Sequence, residues 1–318
     1  MLLSMQDIHG EVQSRRVESP QDFVLKKYLK KLNKSTNRAT IFYASAFTEK
    51  DVAARVLQIN RQDSSCFMAA SAGLEGRELD LIVHSPGGSV ETTEQIVSYL
   101  RRRYDHIRVI VPLCALSTAT LLCCAGDQIV LGEHSALGPI DPLVNWSHHG
   151  ESYATAAQNI INEYSIAQRN INNKKNDPSL WIERLKVYPP GLLAICKTQI
   201  QLSQNLVRRW LQSYMFRGEE GAAEKAQSIA SWLADSRRFA GSSRPIGQSE
   251  AASKGLKAER LDDDEALLEN VMAVFYAGVV KFQTGDSVKL VLNHLGRGCT
   301  FSARGGPSGV PRDRREES

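Results

Sequence analysis

The sequence predicts an α/β fold, because stretches typical of buried strands alternate with stretches typical of helices. Residues 78–84 and 128–132 read as short strands, and residues 107–111 are rich in the β-branched side chains of a buried strand. The chain has 318 residues, 42% of them hydrophobic. This is enough for one large α/β domain or two small ones.

A single serine, Ser117, lies between the strand at 107–111 and an apolar helix that we expect to end near Gly126. Pro112 ends the strand, and small residues surround the serine. A serine at the start of a helix has its hydroxyl near free backbone N–H groups, which suits a nucleophile whose product is an anion. The same position is also typical of a serine that only caps the helix.

Two adjacent glycines, Gly87 and Gly88, follow the strand that ends at His84, and an amphipathic helix follows them. Paired glycines between a strand and a helix allow backbone N–H groups to point into a site without obstruction by a Cβ atom. Such a loop can bind a phosphate or an oxyanion. Pro-Gly-Gly by itself is also a common turn.

A third segment completes the pattern, and the three segments in this order resemble the Clp protease/crotonase fold, a ββα spiral, here with additional C-terminal helices. The similarity is greatest to the serine dehydrogenase proteinase family, which is related to signal peptide peptidase A and NfeD-type proteases. It rests on His84-Ser85-Pro86-Gly87-Gly88, Ala115-Leu116-Ser117-Thr118-Ala119-Thr120 and Leu137-Gly138-Pro139-Ile140-Asp141-Pro142. It covers about residues 79–143, with a weaker match to the family's closing segment over 236–256.

The resemblance implies a serine peptidase in which Ser117 is the nucleophile and an acyl-enzyme is the intermediate. The backbone N–H groups of Gly88 and Thr118 would form the oxyanion hole, and Gly87 would allow the turn. The expected substrate is a peptide or unfolded protein, bound in extended form. The resemblance also implies a homo-oligomer and no metal or other cofactor.

The general base is not evident. Clp protease has a histidine at about the position of Ile140 and Asp141, and relatives of the peptidase A type use a lysine some tens of residues after the serine. Lys174 is our candidate base, with Lys175 beside it, although both lie in a polar stretch. Asp141 is expected either to orient the base or to cap a turn. The remaining candidates for the base are His134, His148 and His149.

Two alternatives stay open. Ser242 occupies the position at which family members tend to carry a histidine before Gly-Arg-x-Ile, so the chain is alternatively a weak or inactive relative that serves as a scaffold or binds peptides. A crotonase-type acyl-CoA enzyme would use the same two N–H groups for a thioester enolate. Glu91 and Glu94, however, are expected to face solvent on the helix after the glycines.

Four regions are expected along the chain: a basic helical arm (1–38), the α/β domain (39–300), a helical insertion within it (about 151–220) and a disordered tail (301–318). In the arm, lysines flank an apolar face at 23–32, which suits packing on the domain or peripheral membrane contact. There is no signal-peptide pattern, and the apolar run at 109–125 is too short to span a membrane. We therefore expect a cytoplasmic protein, with peripheral membrane association as the alternative.

Composition adds few constraints. The net charge is +4 and the basic residues are dispersed, which does not indicate nucleic-acid binding. The six cysteines lack metal-ligand spacing and are expected to be reduced thiols. Further expectations are a helix at 48–58 capped by Thr48, a polar loop at 145–150, helices at 154–168, 190–216, 224–233 and 267–282, and an edge strand at 288–292.

Overall fold

A computed structural model describes residues 3–173, 177–235, 244–303 and 305–309. The strands are β1 (Ala39–Ser45), β2 (Glu78–His84), β3 (His106–Val111), β4 (Cys114–Ala115), β5 (Gln128–Leu131), β6 (Ala136–Leu137), β7 (Leu143–His148), β8 (Glu151–Ala156), β9 (Ala258–Arg260), β10 (Ser287–Asn293), β11 (Gly298–Ser302) and β12 (Gly305–Gly309).

The α-helices are α1 (Met5–Ser14), α2 (Pro20–Thr36), α3 (Ala54–Leu57), α4 (Arg61–Ser71), α5 (Val90–Arg103), α6 (Thr118–Cys123), α7 (Ala157–Asn172), α8 (Ser179–Leu185), α9 (Leu192–Trp210), α10 (Ala222–Ala234), α11 (Gln248–Ser253) and α12 (Glu265–Thr284). A π-helical turn, Leu211–Met215, follows α9, and a 3₁₀ turn, Leu261–Asp263, precedes α12.

The main sheet has eight strands in the order β12-β11-β10-β1-β2-β3-β5-β9. Strands β1, β2, β3, β5 and β9 run parallel, and β10, β11 and β12 extend the sheet in antiparallel fashion beyond β1. Both faces of β1 and nearly all of β2 are buried, as a parallel sheet covered by helices requires. The expected α/β class with a parallel-rich sheet is confirmed.

A small second layer of extended backbone lies beyond the ends of β2 and β3. Ser85 pairs with Ala115 of β4, β4 pairs with β6, and Leu137 of β6 pairs with Ile246. These short pairings join four segments that are far apart in sequence. This second layer carries the turn that contains Ser117.

The amino-terminal helices are part of the same core. The apolar face of α2, including Leu25, Tyr28 and Leu29, is buried against α12 and β1, while Phe23 stays 44% exposed. None of the helices within the described ranges has both the length and the apolar character needed to cross a bilayer.

Several elements differ from the sequence-based expectations. No helix starts at Thr48, whose hydroxyl contacts Glu49 and His84. The expected polar loop at 145–150 instead forms the end of β7 and the turn of the β7–β8 hairpin. The expected edge strand, β10, lies inside the sheet between β1 and β11. Residues 305–309 pair with β11 as β12, whereas we expected them in a disordered tail.

Two further differences concern helices. The sequence analysis did not identify α4, which begins with a capping box in which Asn60 and Asp63 satisfy each other's backbone N–H groups. Helix α6 ends at Cys123, three residues before the glycine expected to cap it. All six cysteines lie in the described ranges and are free.

Candidate active site

Ser117 occupies a strained turn between β4 and α6. Its backbone has φ 50° and ψ −120°, a conformation that residues other than glycine rarely adopt. Its hydroxyl donates to the backbone carbonyl of Asp141 at 3.0 Å and makes no cap hydrogen bond to α6. The interpretation of Ser117 as a simple helix cap therefore does not fit the structure.

The glycine loop lies directly against this turn. The N–H of Ser85 donates to Cys114 O, and the N–H of Leu116 donates to Ser85 O, each at 3.0 Å. A Cβ atom added to Gly87, at φ 91°, would lie 2.7 Å from Leu116 O and 2.8 Å from the backbone nitrogen of Thr118. Only glycine fits this contact, so the two segments pack backbone to backbone.

Gly88 is clamped from its other side by residues 58–60, which we call the support segment. The N–H of Ile59 donates to Gly87 O at 2.8 Å, and Ile59 O accepts from the N–H of Ser89 at 2.9 Å. A Cβ atom on Gly88 would lie 2.3 Å from Ile59 O. The position of Gly88 is thus set by the support segment as well as by the serine turn.

Two backbone donors remain free at this contact. Among the described residues, no acceptor takes the N–H of Gly88 or the N–H of Thr118. The Thr118 hydroxyl donates to Gly88 O at 2.8 Å and ties the two residues together. Free, fixed N–H groups beside a serine hydroxyl are the donors that an oxyanion hole needs.

Asp141 contributes to the site in two ways. Its backbone carbonyl accepts the hydrogen bond from Ser117, and its side chain, only 3% exposed, accepts from the N–H of Gln158 at the start of α7 at 3.2 Å. The other carboxyl oxygen is buried and has no hydrogen-bond partner within the described part of the chain. Burial raises the pKa of this carboxyl to about 6, against the smaller opposite effect of the Gln158 hydrogen bond.

Of the candidate bases that lie among the described residues, none contacts Ser117. Lys174 and Lys175, together with Ser242 of the closing segment, lie outside the described residues. His134 is exposed on a turn. His148 lies at the end of β7, on the order of 15 Å from Leu143 at the start of that strand. Its ring meets the ring of His149 edge to face.

His84 lies closer in sequence to the glycine loop, but it is fully buried. Its ring stacks on Phe47 and meets the edge of Phe275, and burial lowers its pKa to about 4 despite a hydrogen bond from the N–H of Cys114. A neutral, enclosed imidazole of this kind packs the end of β2. No contact joins it to Ser117 among the described residues.

The carboxylates after the glycine loop are engaged elsewhere. Glu91 accepts from Gln199 at 2.6 Å and Glu94 pairs with Arg209 at 2.6 Å, both on α9. Because neither side chain is directed at the free N–H groups, the paired acids that a crotonase would use are missing from the described part of this site.

Sequence reasoning missed the support segment and the buried charges behind it. Ile59 holds the glycine loop through backbone hydrogen bonds to Gly87 and Ser89, and such bonds leave no side-chain signature in the sequence. Lys289, Asp63 and Tyr43 form a buried cluster next to that segment. The one available signal was Lys289, a lone charge in the apolar strand 288–292.

Residues 8–174, just over half of the chain, match the family described as ClpP-like SDH-type serine proteinase. The chain belongs to this family. The resemblance inferred from the glycine loop, the serine turn and the Gly138 segment is thereby confirmed. As a ClpP-like SDH-type protein, the chain carries both the glycine loop and the Ser117 turn within the matched region.

Two uncharacterized proteins of Methanocaldococcus jannaschii are similar to part of this ClpP-like chain. One is 42% identical over 74 residues, which is 23% of this chain and 26% of the relative. The other is 36% identical over 70 residues, 22% of this chain and 24% of the relative. The match thus spans about a quarter of the length of each relative.

Among solved structures, a probable enoyl-CoA hydratase/isomerase from Mycobacterium abscessus aligns with 62% of this chain and 85% of its own. The identity is 12% and the TM-score is 0.20. A likeness at this level carries no information about substrate or reaction, so the site has to be interpreted from its own residues.

Proposed function

We propose that this protein is a serine peptidase that cleaves peptide bonds through an acyl-enzyme at Ser117. The observation that supports the proposal most is the pair of free N–H groups, those of Gly88 and Thr118, fixed beside a serine in a strained turn. The strain is of the kind that persists at functional sites because the surrounding structure enforces it.

The chemistry follows from this arrangement. Ser117 Oγ attacks the carbonyl carbon of the scissile bond, and its proton passes to a base and then to the leaving amine. The Gly88 and Thr118 N–H groups stabilise the negative charge that develops on the carbonyl oxygen. Once the C–N bond has broken and the amine has left, water attacks the acyl carbon and gives its proton to the base. The bond from this carbon to Ser117 Oγ then breaks, and the proton returns to Oγ.

The Ser117 hydroxyl has to leave the Asp141 carbonyl before it can attack. We propose Lys174 as the base that receives its proton, by resemblance to the lysine-dependent relatives. Asp141 holds the resting hydroxyl through its carbonyl and caps α7 through its carboxyl group. We further propose a peptide or unfolded protein as substrate and a homo-oligomer as the active form.

One observation favours a second function, that of a catalytically inactive peptide-binding protein. In the described residues no imidazole, amine or carboxylate contacts Ser117 Oγ, whose only hydrogen bond goes to a backbone carbonyl. Without a base, the glycine loop and the free N–H groups would still bind an extended peptide carbonyl.

Cleavage of an unfolded substrate tests the proposal. Fluorescently labelled casein is incubated with the purified full chain, with Ser117→Ala and with Ser203→Ala, a buried serine of α9 that lies outside the site. The peptidase proposal predicts cleavage by the wild type and by Ser203→Ala, and none by Ser117→Ala. Binding of the casein, measured by fluorescence polarisation, without cleavage by any of the three would instead support the peptide-binding function.

A further inference from the structure

A buried ion pair lies directly behind the support segment. Lys289 on β10 and Asp63 on α4 are both fully buried, and Lys289 Nζ lies 2.8 Å from Asp63 Oδ1 and 3.0 Å from Asp63 Oδ2. Lys289 also stands over the ring of Phe301, at 4.4 Å from its centre. Placing two charges in the core costs free energy of desolvation unless both charges are fully partnered. A net gain in folding stability is therefore a weak explanation for this ion pair.

The ion pair holds the support segment at two points. Lys289 Nζ donates its remaining hydrogen bond to Gln58 O at 2.9 Å. Asp63 Oδ2 accepts from the N–H of Asn60 at 2.9 Å. The residue between these two anchors is Ile59, whose N–H and carbonyl clamp the glycine loop on either side of Gly88.

A second connection reaches the glycine loop through side chains. The Tyr43 hydroxyl donates to Asp63 Oδ2 at 3.1 Å. Burial raises the pKa of Tyr43 well above its usual value, while the nearby Ser85 side chain acts to lower it. Ser85 Oγ accepts from the N–H of Gly87 at 3.2 Å. The Tyr43 hydroxyl therefore lies between the buried carboxylate of Asp63 and the serine that holds the N–H of the residue before Gly88.

We propose that Lys289, Asp63 and Tyr43 are positioning residues that hold the Gly88 N–H in place for the developing oxyanion. This inference rests on the proposed function, since it assigns these residues to the oxyanion hole of that reaction. The charges strengthen the hydrogen bonds to Gln58 and Asn60, because charge-assisted bonds are stronger than neutral ones. The Tyr43–Ser85 contact adds a second restraint from the opposite end of the loop.

The sharpest variant is Tyr43→Phe, which removes one hydroxyl and leaves the ion pair whole. Its matched control is Tyr104→Phe, a second buried tyrosine that has no contact with the glycine loop among the described residues. A double variant, Lys289→Met with Asp63→Asn, removes both charges together and leaves no unpaired charge in the core.

Two measurements are made on each full-length variant. The first is hydrogen exchange of the peptide that spans residues 85–89 and the one that spans 58–60. The second is the rate at which a fluorophosphonate probe labels Ser117. We expect exchange in both peptides to accelerate about tenfold in Tyr43→Phe and in the double variant, with α12 unchanged, and labelling to slow about tenfold, less than the loss of a whole oxyanion donor.

Unchanged exchange in both variants would overturn the proposal, as would an equal effect in Tyr104→Phe. Slower labelling that only follows the fraction of unfolded protein would also overturn it, because a purely structural role predicts that result. If the wild type is not labelled at all, the proposed function fails, and exchange at 58–60 and 85–89 still decides whether the network positions the loop.

Discussion

The backbone of Ser117 has the conformation of the first central residue of a type II′ turn, which glycine adopts without strain. For serine this conformation costs about 1–3 kcal/mol. The cost is offset by the contacts of the turn with Gly87 and Asp141. The residue that carries this cost is the nucleophile of the proposed function.

Comparison of Ser117→Gly with Ser117→Ala tests the strain. Both variants lack the hydroxyl, but only glycine relieves the positive φ. Glycine gives the unfolded chain more conformational freedom, which lowers the free energy of unfolding by about 0.4–1 kcal/mol and partly offsets the relief of strain. We therefore expect Ser117→Gly to be more stable than Ser117→Ala by about 1 kcal/mol. In thermal unfolding this is about 2 °C, and a lower midpoint for Ser117→Gly would contradict the assignment of strain.

The Asp141 carboxyl predicts a specific pH dependence. Burial raises its pKa from 3.8 to about 6, so the folded state binds a proton there that the unfolded state has released. The contribution of the protonated Asp141 to the free energy of unfolding is on the order of 2–3 kcal/mol. It is fully present below about pH 4 and is lost as the pH rises to about 6. In Asp141→Asn this loss should disappear, as measured by urea unfolding at several pH values.

His84 changes the stability of both proteins with pH in the opposite direction. The free energies of unfolding of Asp141→Asn and wild type therefore have to be subtracted from each other at each pH. Burial lowers the pKa of His84 from 6.5 to about 4, so its stabilisation is lost as the pH falls through the same range. The difference between Asp141→Asn and wild type should increase from pH 4 to pH 6. A constant difference would show that Asp141 is charged throughout.

At the scale of elements, one side-chain hydrogen bond joins α6 to the glycine loop. Thr118→Val removes the 2.8 Å bond to Gly88 O and keeps the shape of the side chain, whereas Thr118→Ser keeps the bond. We expect probe labelling of Ser117 to fall about tenfold in Thr118→Val, a fraction of the effect of losing an oxyanion donor, and to stay near wild type in Thr118→Ser. Equal rates in the two variants would exclude this bond from positioning the site.

The elements that the sequence predicts well are those with strong local signals. The strand at 78–84, the glycine loop and the serine turn follow one another in the order that the motifs indicate. The start of a helix at Thr48 is wrong because tertiary contacts engage its hydroxyl with Glu49 and His84 instead of with a helix. A local capping pattern gives no information about such partners.

Other elements were not predicted because their turn or their strand pairing leaves only a weak signal in the local sequence. The β7–β8 hairpin turns at His149 and Gly150, both with positive φ, a turn that Gly150 alone only weakly indicates. The buried position of β10 follows from β11 and β12, which extend the sheet beyond it. For that reason Lys289, on an expected edge strand, proves to be fully buried.

At the scale of the whole molecule, the amino-terminal helices belong to the core. Leu29 of α2 is fully buried, in a helix that packs against α12. Leu29→Ala should lower the free energy of unfolding by about 2–5 kcal/mol. Lys34→Ala, at an exposed position of the same helix, should change it by less than about 0.5 kcal/mol. Chemical denaturation measures both, and a small effect of Leu29→Ala would mean that the arm is an appendage.

The proposed function requires Ser117 to be an activated nucleophile beside a preformed oxyanion hole. The most direct test is to treat the full-length protein with a fluorophosphonate probe and to locate the adduct by mass spectrometry of proteolytic peptides. We predict a single adduct on Ser117 that is absent from Ser117→Ala and unaffected by Ser203→Ala. Absence of labelling in folded wild-type protein, or an adduct on another serine, would contradict the claim.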